Sequence, residues 1–360
     1  MTYAAITGWG KCLPPAVVTN DDLATFLDTS DEWITSRTGM KERRISHVAL
    51  SDLAYVAASR ALAAAKLHPR DLDMVVLASC TFDSMLPNSS SRVQFRLGAK
   101  NAGCYDINTA CTGFMYALST ATGLIKAGTI RNAVVIGADV MSQPVPWMDR
   151  SISVLFGDGA AAWVLEATED REGILAERLG CIAEARDILS INYGFSPPGQ
   201  ARKDLSHWNF QGQEIFKRAV NAMAKASSDV LKEAGFKPTD VDLCIPHQAN
   251  KRIIDAVAKK VGVPTDRCYV NVHRYGNISA ATIPVAVTEA LEENRMVPNA
   301  NLLCPAFGAG LTWSAHVLKW GERTLPYDHS DVELPPCNKT GLELIQQIMA
   351  DRGDPIIVRR

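Results

Sequence analysis

The phrase His68-Pro-Arg-Asp-Leu-Asp-Met-Val-Val-Leu-Ala78 returns later as Lys237-Pro-Thr-Asp-Val-Asp-Leu-Cys-Ile-Pro246, so that Asp71 and Asp73 match Asp240 and Asp242 at an offset of 169 residues. Two further matches keep the order. Cys104-Tyr105 answers Cys268-Tyr269 at an offset of 164, and the apolar run Ala133-Val-Val-Ile-Gly137 answers Asn301-Leu-Leu-Cys-Pro305 at an offset of 168. Self-similarity over such a distance marks a duplicated unit. Each copy reads helix, strand, strand, helix, strand, an alternation that predicts α/β layers around a mixed or largely parallel sheet. The expected division is a first half at 1–170, a second half at 171–320 and a C-terminal extension at 321–360.

Related halves packed about a pseudo-twofold axis bring equivalent strand-to-helix turns face to face. In the first half that turn holds Cys111, between the strand-like Cys104, Tyr105 and Ile107 and a helix whose apolar residues Phe114, Leu118 and Ala121 recur three or four apart. Free N–H groups and the helix dipole at such a junction favour a thiolate over a thiol. The matching turn of the second half is expected at His273-Arg-Tyr-Gly-Asn-Ile-Ser279, with Pro246-His-Gln-Ala-Asn250 nearby. A cysteine, a histidine and an asparagine are thereby expected to converge.

Charge narrows the range of partners. With 37 basic against 39 acidic residues no global field recruits nucleic acid or an anionic membrane, so any basic site is local. One such group is Lys217, Arg218, Arg252, Lys259 and Lys260 on helical segments. The first residues carry no charged leader, and no run approaches the roughly 18 apolar residues that span a bilayer, which predicts a cytoplasmic protein. The nine cysteines are scattered without a Cys-x-x-Cys pair, which argues against a disulfide framework and a structural zinc site.

Six motifs in order identify a family. Asp31-Glu-Trp-Ile-Thr-Ser-Arg-Thr-Gly39, Ala110-Cys-Thr-Gly-Phe114, Phe156-Gly-Asp-Gly159, Pro246-His-Gln-Ala-Asn-Lys-Arg252, Tyr275-Gly-Asn-Ile-Ser-Ala280 and Ala306-Phe-Gly-Ala-Gly-Leu-Thr-Trp313 together resemble the β-ketoacyl-acyl carrier protein synthase III family over about residues 4 to 320. The resemblance implies the thiolase fold, duplicated halves in a five-layer αβαβα arrangement, and a homodimer. It implies that Cys111 carries an acyl group taken from an acyl-coenzyme A, with His247 and Asn277 completing the triad. It assigns the backbone N–H groups of Cys111 and Ala309 to the oxyanion hole; many members carry glycine at the position of Ala309.

By the same resemblance, Trp33 stacks on the adenine of coenzyme A, with Arg37, Arg150 and Arg252 near the nucleotide. Gly212 and Asn250 flank the pantetheine, and Phe216 forms tunnel wall. Lys217, Arg252, Lys259 and Lys260 match the surface that docks an acidic acyl carrier protein. The segment Asp83-Ser-Met-Leu-Pro87 matches the loop that closes the acyl pocket, often across the dimer interface. Leu86 stands there where some acetyl-specific members carry a bulky aromatic, beside Met85. The implied reaction joins an acyl primer to malonyl-acyl carrier protein, or malonyl-coenzyme A, with loss of carbon dioxide, and needs no metal or bound cofactor.

Rivals remain at this stage. A cysteine protease also uses Cys, His and Asn, but around a different nucleophile motif and without duplicated halves. A related synthase or acyltransferase of secondary metabolism with an unusual or longer donor shares the triad, and a non-catalytic thiolase-fold partner subunit would not need it. The extension predicts a short amphipathic helix over Gly341–Ala350 through Leu342, Ile345 and Met349, stopped at Asp354-Pro355.

Overall fold

The repeated Asp-x-Asp phrase stands at the entry of a parallel strand in each half, and its carboxylate clamps the start of the neighbouring strand. The computed structural model describes residues 1–191 and 208–354. In the first half the elements are β1 (Tyr3–Cys12), β2 (Ala16–Thr19), α1 (Asn20–Ala24), α2 (Asp31–Thr38), β3 (Glu42–Ile45), α3 (Leu50–Ala65), β4 (Met74–Ala78), α4 (Ser89–Leu97), β5 (Gly103–Ile107), α5 (Gly113–Lys126), β6 (Asn132–Val140), α6 (Arg150–Ser153) and β7 (Asp158–Thr168). They are followed by β8 (Gly173–Cys181), β9 (Leu189–Ile191), β10 (Trp208–Phe210), α7 (Gly212–Ala234), β11 (Leu243–Cys244), α8 (Lys251–Val261), α9 (Val272–Tyr275), α10 (Thr282–Glu292), β12 (Asn301–Gly308), β13 (Thr312–Lys319) and, in the extension, α11 (Gly341–Arg352).

The clamp is the same in both halves. Asp73 Oδ2 accepts from the backbone N–H of Arg131 at 2.7 Å and of Asn132 at 3.2 Å, while Asn132 Nδ2 donates to Asp71 O at 2.9 Å. Asp242 Oδ2 accepts from Asn301 N at 2.8 Å, and Asn301 Nδ2 donates to Asp240 O at 3.0 Å. Asn301 is therefore the counterpart of Asn132, which corrects the expected strand match by one residue, from an offset of 168 to 169. A one-residue slip would send every side chain to the opposite face, so the correction concerns the core pattern itself.

Sheet topology repeats with the clamp. The first sheet has the order β1-β7-β6-β4-β5 and the second β8-β13-β12-β11, with the same sequence of antiparallel, antiparallel and parallel pairings. The counterpart of β5 is reduced to a single parallel bridge, Cys244 to Cys268, which matches the first half's pairing of Val75 with Cys104. The expected boundary at 170 falls in the turn between β7 and β8.

Three apolar clusters stack these parts into five layers. α3 supplies Leu53, Ala57 and Ala61 to the outer face of the first sheet. α7 and α8 supply Met223, Val230 and Val257 to the outer face of the second. α5 and α10 lie between the sheets, burying Phe114, Leu118 and Ala121 against Ile283, Ala286 and Val287. The helix periodicity read from Phe114, Leu118 and Ala121 is thus the face turned into this central layer. All nine cysteines are free. Among the described residues no helix is long and apolar enough to cross a membrane.

A fourth cluster gathers β2, β3, α2 and the extension's α11. The buried face of α11 is Leu344, Ile345, Ile348 and Met349, with Leu342 only half-buried, so the expected stripe is rotated away from Leu342. Thr340 and Glu343 close a capping box at its start, and Gly353 in the left-handed region ends it. Pro355, expected to stop the helix, lies outside the described residues.

Candidate active site

Both central helices begin with a tight turn in which a non-glycine residue is forced to positive φ: Ala110 and Ser279, each at φ 50°. Cys111 follows Ala110 in a 3₁₀ turn, Ala110–Thr112, that leads into α5. Its equivalent in the second half is Ala280, in the turn Ser279–Ala281 before α10, so the His273–Ser279 stretch is the approach to that turn and not its centre. The two turns meet across the central layer: a Cβ built on Gly113 would lie 3.5 Å from Ala280 Cβ.

One cavity of about 600 Å³ unites the expected residues, lined by Cys111, His247, Asn277 and Ala309 at its inner end and by Trp33, Arg37, Gly212, Phe216, Asn250 and Arg252 toward solvent. Cys111 faces it half-buried, and His247 and Asn277 are 3% and 7% exposed, which makes this the enclosed end. Burial dominates the thiol. Its pKa is pushed up to about 11 by desolvation, against the opposing pull of the Ser279 and Asn277 side chains and of its own backbone N–H. The expectation of a resting thiolate is therefore corrected: the donors around the sulfur are outweighed by loss of water and by the nearby Asp139 carboxylate.

His247 comes from the end of β11, where its backbone N–H donates to Pro305 O at 2.9 Å. Its Nδ1 lies 2.6 Å from Thr282 Oγ1, at the first residue of α10. Burial depresses its pKa to about 3, so the ring is neutral at ordinary pH. Gln248 ties this loop to the next, accepting from Asn271 N at 3.0 Å and donating to Tyr269 O at 3.1 Å. Asn277 is pinned through its backbone to Leu155 and Gly157, and its Oδ1 accepts from Ser279 N at 2.8 Å. With the carbonyl oxygen so occupied, the amide N–H₂ is the end left for the cavity.

The turns bearing the two expected oxyanion donors are cross-linked by hydroxyl groups. Thr112 Oγ1 donates to Thr312 Oγ1 at 2.8 Å, and Thr312 Oγ1 lies 3.0 Å from the carbonyls of both Thr109 and Ala309. Gly308 closes the arrangement: a Cβ there would sit 2.9 Å from Cys111 N and 3.1 Å from Thr112 N. Only glycine lets β12 approach the nucleophile turn this closely.

At the outer end Trp33 is flanked by guanidinium groups, Arg37 at 4.4 Å and Arg150 at 5.2 Å from the ring centroid. Arg150 does not line the cavity itself and is tied to Asp28. Asn250 caps α8, accepting from Arg252 N at 2.9 Å, and donates to Arg37 O at 3.1 Å, while the Arg252 guanidinium lies 5.7 Å from the Phe216 ring. Lys217, Arg252, Lys259 and Lys260 are exposed on α7 and α8, with Lys260 Nζ 2.6 Å from Asn221 Oδ1. Among the described residues no group of three or more His, Cys, Asp or Glu is arranged to hold a metal ion.

Met85 and Leu86 do not join this cavity. They are 61% and 85% exposed on the chain's surface, because the loop after β4 turns outward, so the expected pocket closure is not made within one chain.

Comparison with known proteins follows the same lines. Residues 105–182 match the 3-oxoacyl-[acyl-carrier-protein] synthase III family model, and residues 231–320 match the model of that family's C-terminal part. The beta-ketoacyl-[acyl-carrier-protein] synthase III 2 of Vibrio cholerae is 50% identical over 347 residues, 96% of each chain. The chain belongs to the β-ketoacyl-[acyl-carrier-protein] synthase III family. Synthase III of Aquifex aeolicus VF5 superposes with a TM-score of 0.84 at 43% identity, covering 88% of this chain and 100% of its own. The priming β-ketosynthase of the R1128 polyketide biosynthetic pathway gives 0.83 at 30% identity, covering 89% of this chain and 97% of its own. The duplicated five layers are the thiolase fold of this family.

Coverage locates the extension within the family. The Vibrio synthase III 2 alignment takes in 96% of this chain and so most of the extension, whereas the whole Aquifex synthase III chain aligns with 88% of this chain. Several synthase III site residues escaped the sequence. Ser279, Thr112, Thr312 and Gly308 lie inside motifs quoted above, but the positive φ of the first, the hydroxyl link of the next two and the close approach of the last are tertiary facts. Thr282 lies in no motif, and Cys80, Met141, Trp208 and Phe210 line the cavity from segments without one.

Proposed function

We propose that this protein catalyses a decarboxylative Claisen condensation, in which an acyl-coenzyme A primer and a malonyl thioester give a β-ketoacyl thioester through an acyl group held on Cys111. The observation that carries the proposal is one enclosed cavity end where Cys111, His247, Asn277 and the Ala309 turn meet. Cys111 sulfur attacks the thioester carbonyl and expels coenzyme A, the thiol proton ending on the departing sulfur. A thiol at about 11 gives little thiolate at rest, so its proton leaves as the thioester carbonyl, polarised by the two backbone donors, is engaged.

The malonyl thioester then loses carbon dioxide, and negative charge develops on its thioester oxygen as the enolate. Thr282 Oγ1 lies 2.6 Å from Nδ1, and in the tautomer in which that hydroxyl donates, neutral His247 carries its proton on Nε2 and gives it in a hydrogen bond to that oxygen. The free amide end of Asn277 donates beside it. The enolate carbon attacks the acyl-cysteine, the tetrahedral oxyanion rests on the N–H groups of Cys111 and Ala309, and collapse releases the product while Cys111 takes up one proton. These steps use a thiol, neutral donors and loss of carbon dioxide, with no metal or bound cofactor.

Trp33, Arg37, Arg150 and Arg252 suit the adenine and phosphates of coenzyme A, the guanidinium fork being matched to phosphate oxygens. Gly212, Phe216 and Asn250 suit the pantetheine arm. Lys217, Arg252, Lys259 and Lys260 present an exposed basic face to an acidic carrier protein beside the opening. A homodimer accounts for the edge strand β5 and for Met85, Leu86 and Phe95, the last 81% exposed, since unpaired edges and large apolar side chains are covered in stable assemblies. Met85 and Leu86 would then close the partner's acyl pocket.

A longer or unusual donor is the second reading, favoured by leucine in place of a bulky aromatic at the closing loop. Intact-mass analysis after mixing with acyl-coenzyme A donors of two to twelve carbons tests both. Acylation is expected in the wild type and absent in Cys111→Ala. No mass gain with any donor overturns the proposal, and turnover confined to acetyl-coenzyme A overturns the longer-donor reading. A non-catalytic partner subunit predicts no gain at all.

A further inference from the structure

The extension's helix and the cavity are joined through four consecutive residues, 141–144. Met141 lines the cavity. Ser142 is held by Asp158, its backbone N–H at 2.8 Å and its hydroxyl at 2.6 Å from the carboxylate, and its carbonyl accepts from the buried Trp147 indole at 3.1 Å. Gln143 O accepts from Arg352 Nη1, on the last turn of α11, at 2.7 Å. Pro144 O accepts from Trp208 Nε1, on the cavity side, at 2.7 Å.

Adjacent carbonyls therefore take different partners, Gln143 O the extension's Arg352 and Pro144 O the cavity-lining Trp208. A proline with φ locked by its ring joins them, so displacement of the first is transmitted to the second. Trp208 packs in turn on Phe156, centroids 5.2 Å apart, and both line the cavity. α11 is built to hold its end of this chain. Its apolar face is buried in the cluster that contains Met141, Val145, Trp147 and Phe156. Arg352 is itself fixed, Nε donating to Asp354 Oδ2 at 2.9 Å. A Cβ on Gly341 would lie 2.5 Å from Val17 O, so the helix starts in direct backbone contact with β2.

We infer that α11 is a buttress for the acyl-donor wall, and that Arg352 is a positioning residue that sets the place of Trp208, and so the donor chain lengths accepted, through the Gln143–Pro144 backbone. The inference rests on the proposed condensing reaction.

The test uses the full chain. Steady-state kinetics of wild type, Arg352→Ala and Arg352→Lys are measured with acyl-coenzyme A donors of two to twelve carbons and saturating malonyl-carrier protein. Expected for Arg352→Ala is a rise in donor KM of about fivefold for the preferred chain length, with kcat within about twofold and a flattened length profile. Arg352→Lys, which keeps a donor toward Gln143 O, recovers most of the profile. Trp208→Phe removes the indole N–H, should flatten the profile likewise, and should add nothing to Arg352→Ala in the double variant. Arg60→Ala, which breaks the extension's remote pair with Glu333, should leave the profile unchanged. A uniform loss of active fraction across all donors, an unchanged profile in Arg352→Ala, or additive effects in the double variant would overturn the inference. Absence of turnover in the wild type would instead overturn the condensing reaction on which it rests.

Discussion

Gly308→Ala tests the oxyanion hole without touching a catalytic side chain. The new Cβ would stand 2.9 Å from Cys111 N, 3.1 Å from Thr112 N and 3.2 Å from Thr109 O, all backbone atoms. Ordinary contact for such a carbon begins near 3.4 Å, so the nucleophile turn must retreat by about half an ångström, and it cannot do so freely because Thr112 and Thr312 pin it from behind. The backbone itself tolerates alanine, since φ at 308 is −152°, which is extended. Loss of one oxyanion donor costs about 10²–10³ in rate, or roughly 2.7–4 kcal/mol, and partial misplacement costs correspondingly less. The expected result is a fall of roughly 10- to 300-fold in single-turnover acylation of Cys111 by acyl-coenzyme A, followed by intact mass. Malonyl decarboxylation, which the proposed mechanism assigns to His247 and Asn277, should fall by less than about threefold. Acylation within about twofold of wild type, with the methyl accommodated, refutes the placement of the hole; equal losses in both half-reactions refute its separation from the decarboxylating donors.

His247 predicts a pH dependence. Its folded pKa is about 3 against an ordinary 6.5, so below 6.5 the unfolded chain takes up a proton that the folded chain refuses, and stability is lost as pH falls. At about 1.4 kcal/mol per unit, urea unfolding at pH 5 against pH 7 should show wild type losing about 2 kcal/mol more than His247→Asn. Asp158, raised to about 6 by burial, works the other way by favouring the fold as pH falls, but it is common to both chains and cancels in the comparison; equal losses would count against a neutral buried ring. Thr312→Val should lower kcat about tenfold while Thr312→Ser retains it, since only the hydroxyl links the two donor turns, and steady-state turnover decides the matter. Gly341→Ala places a Cβ 2.4 Å from Val18 Cγ2 and should cost roughly 1–3 kcal/mol of stability, visible as a lower urea midpoint; an unchanged midpoint contradicts the close docking of α11.

The sequence by itself determined the duplication, because the Asp71-x-Asp73 and Asp240-x-Asp242 phrases recur with their partners, Asn132 and Asn301, each 59 residues further on. It determined the central-helix face of Phe114, Leu118 and Ala121 as well, since periodicity is a local property. The triad types were legible because each sits inside a short motif. Tertiary structure alone decided the rest. The register of β12 needed the observed pairing, for an apolar run fits either face. The ionisation of Cys111 and His247 is set by how much water surrounding elements remove, which no local pattern states. Thr282, Thr312 and Gly308 matter because distant segments converge on them, and the exposure of Met85 and Leu86 follows from the path of one loop. The extension's part in the acyl wall is of the same kind: Arg352 and Gln143 are 209 residues apart in the chain and 2.7 Å apart in the fold.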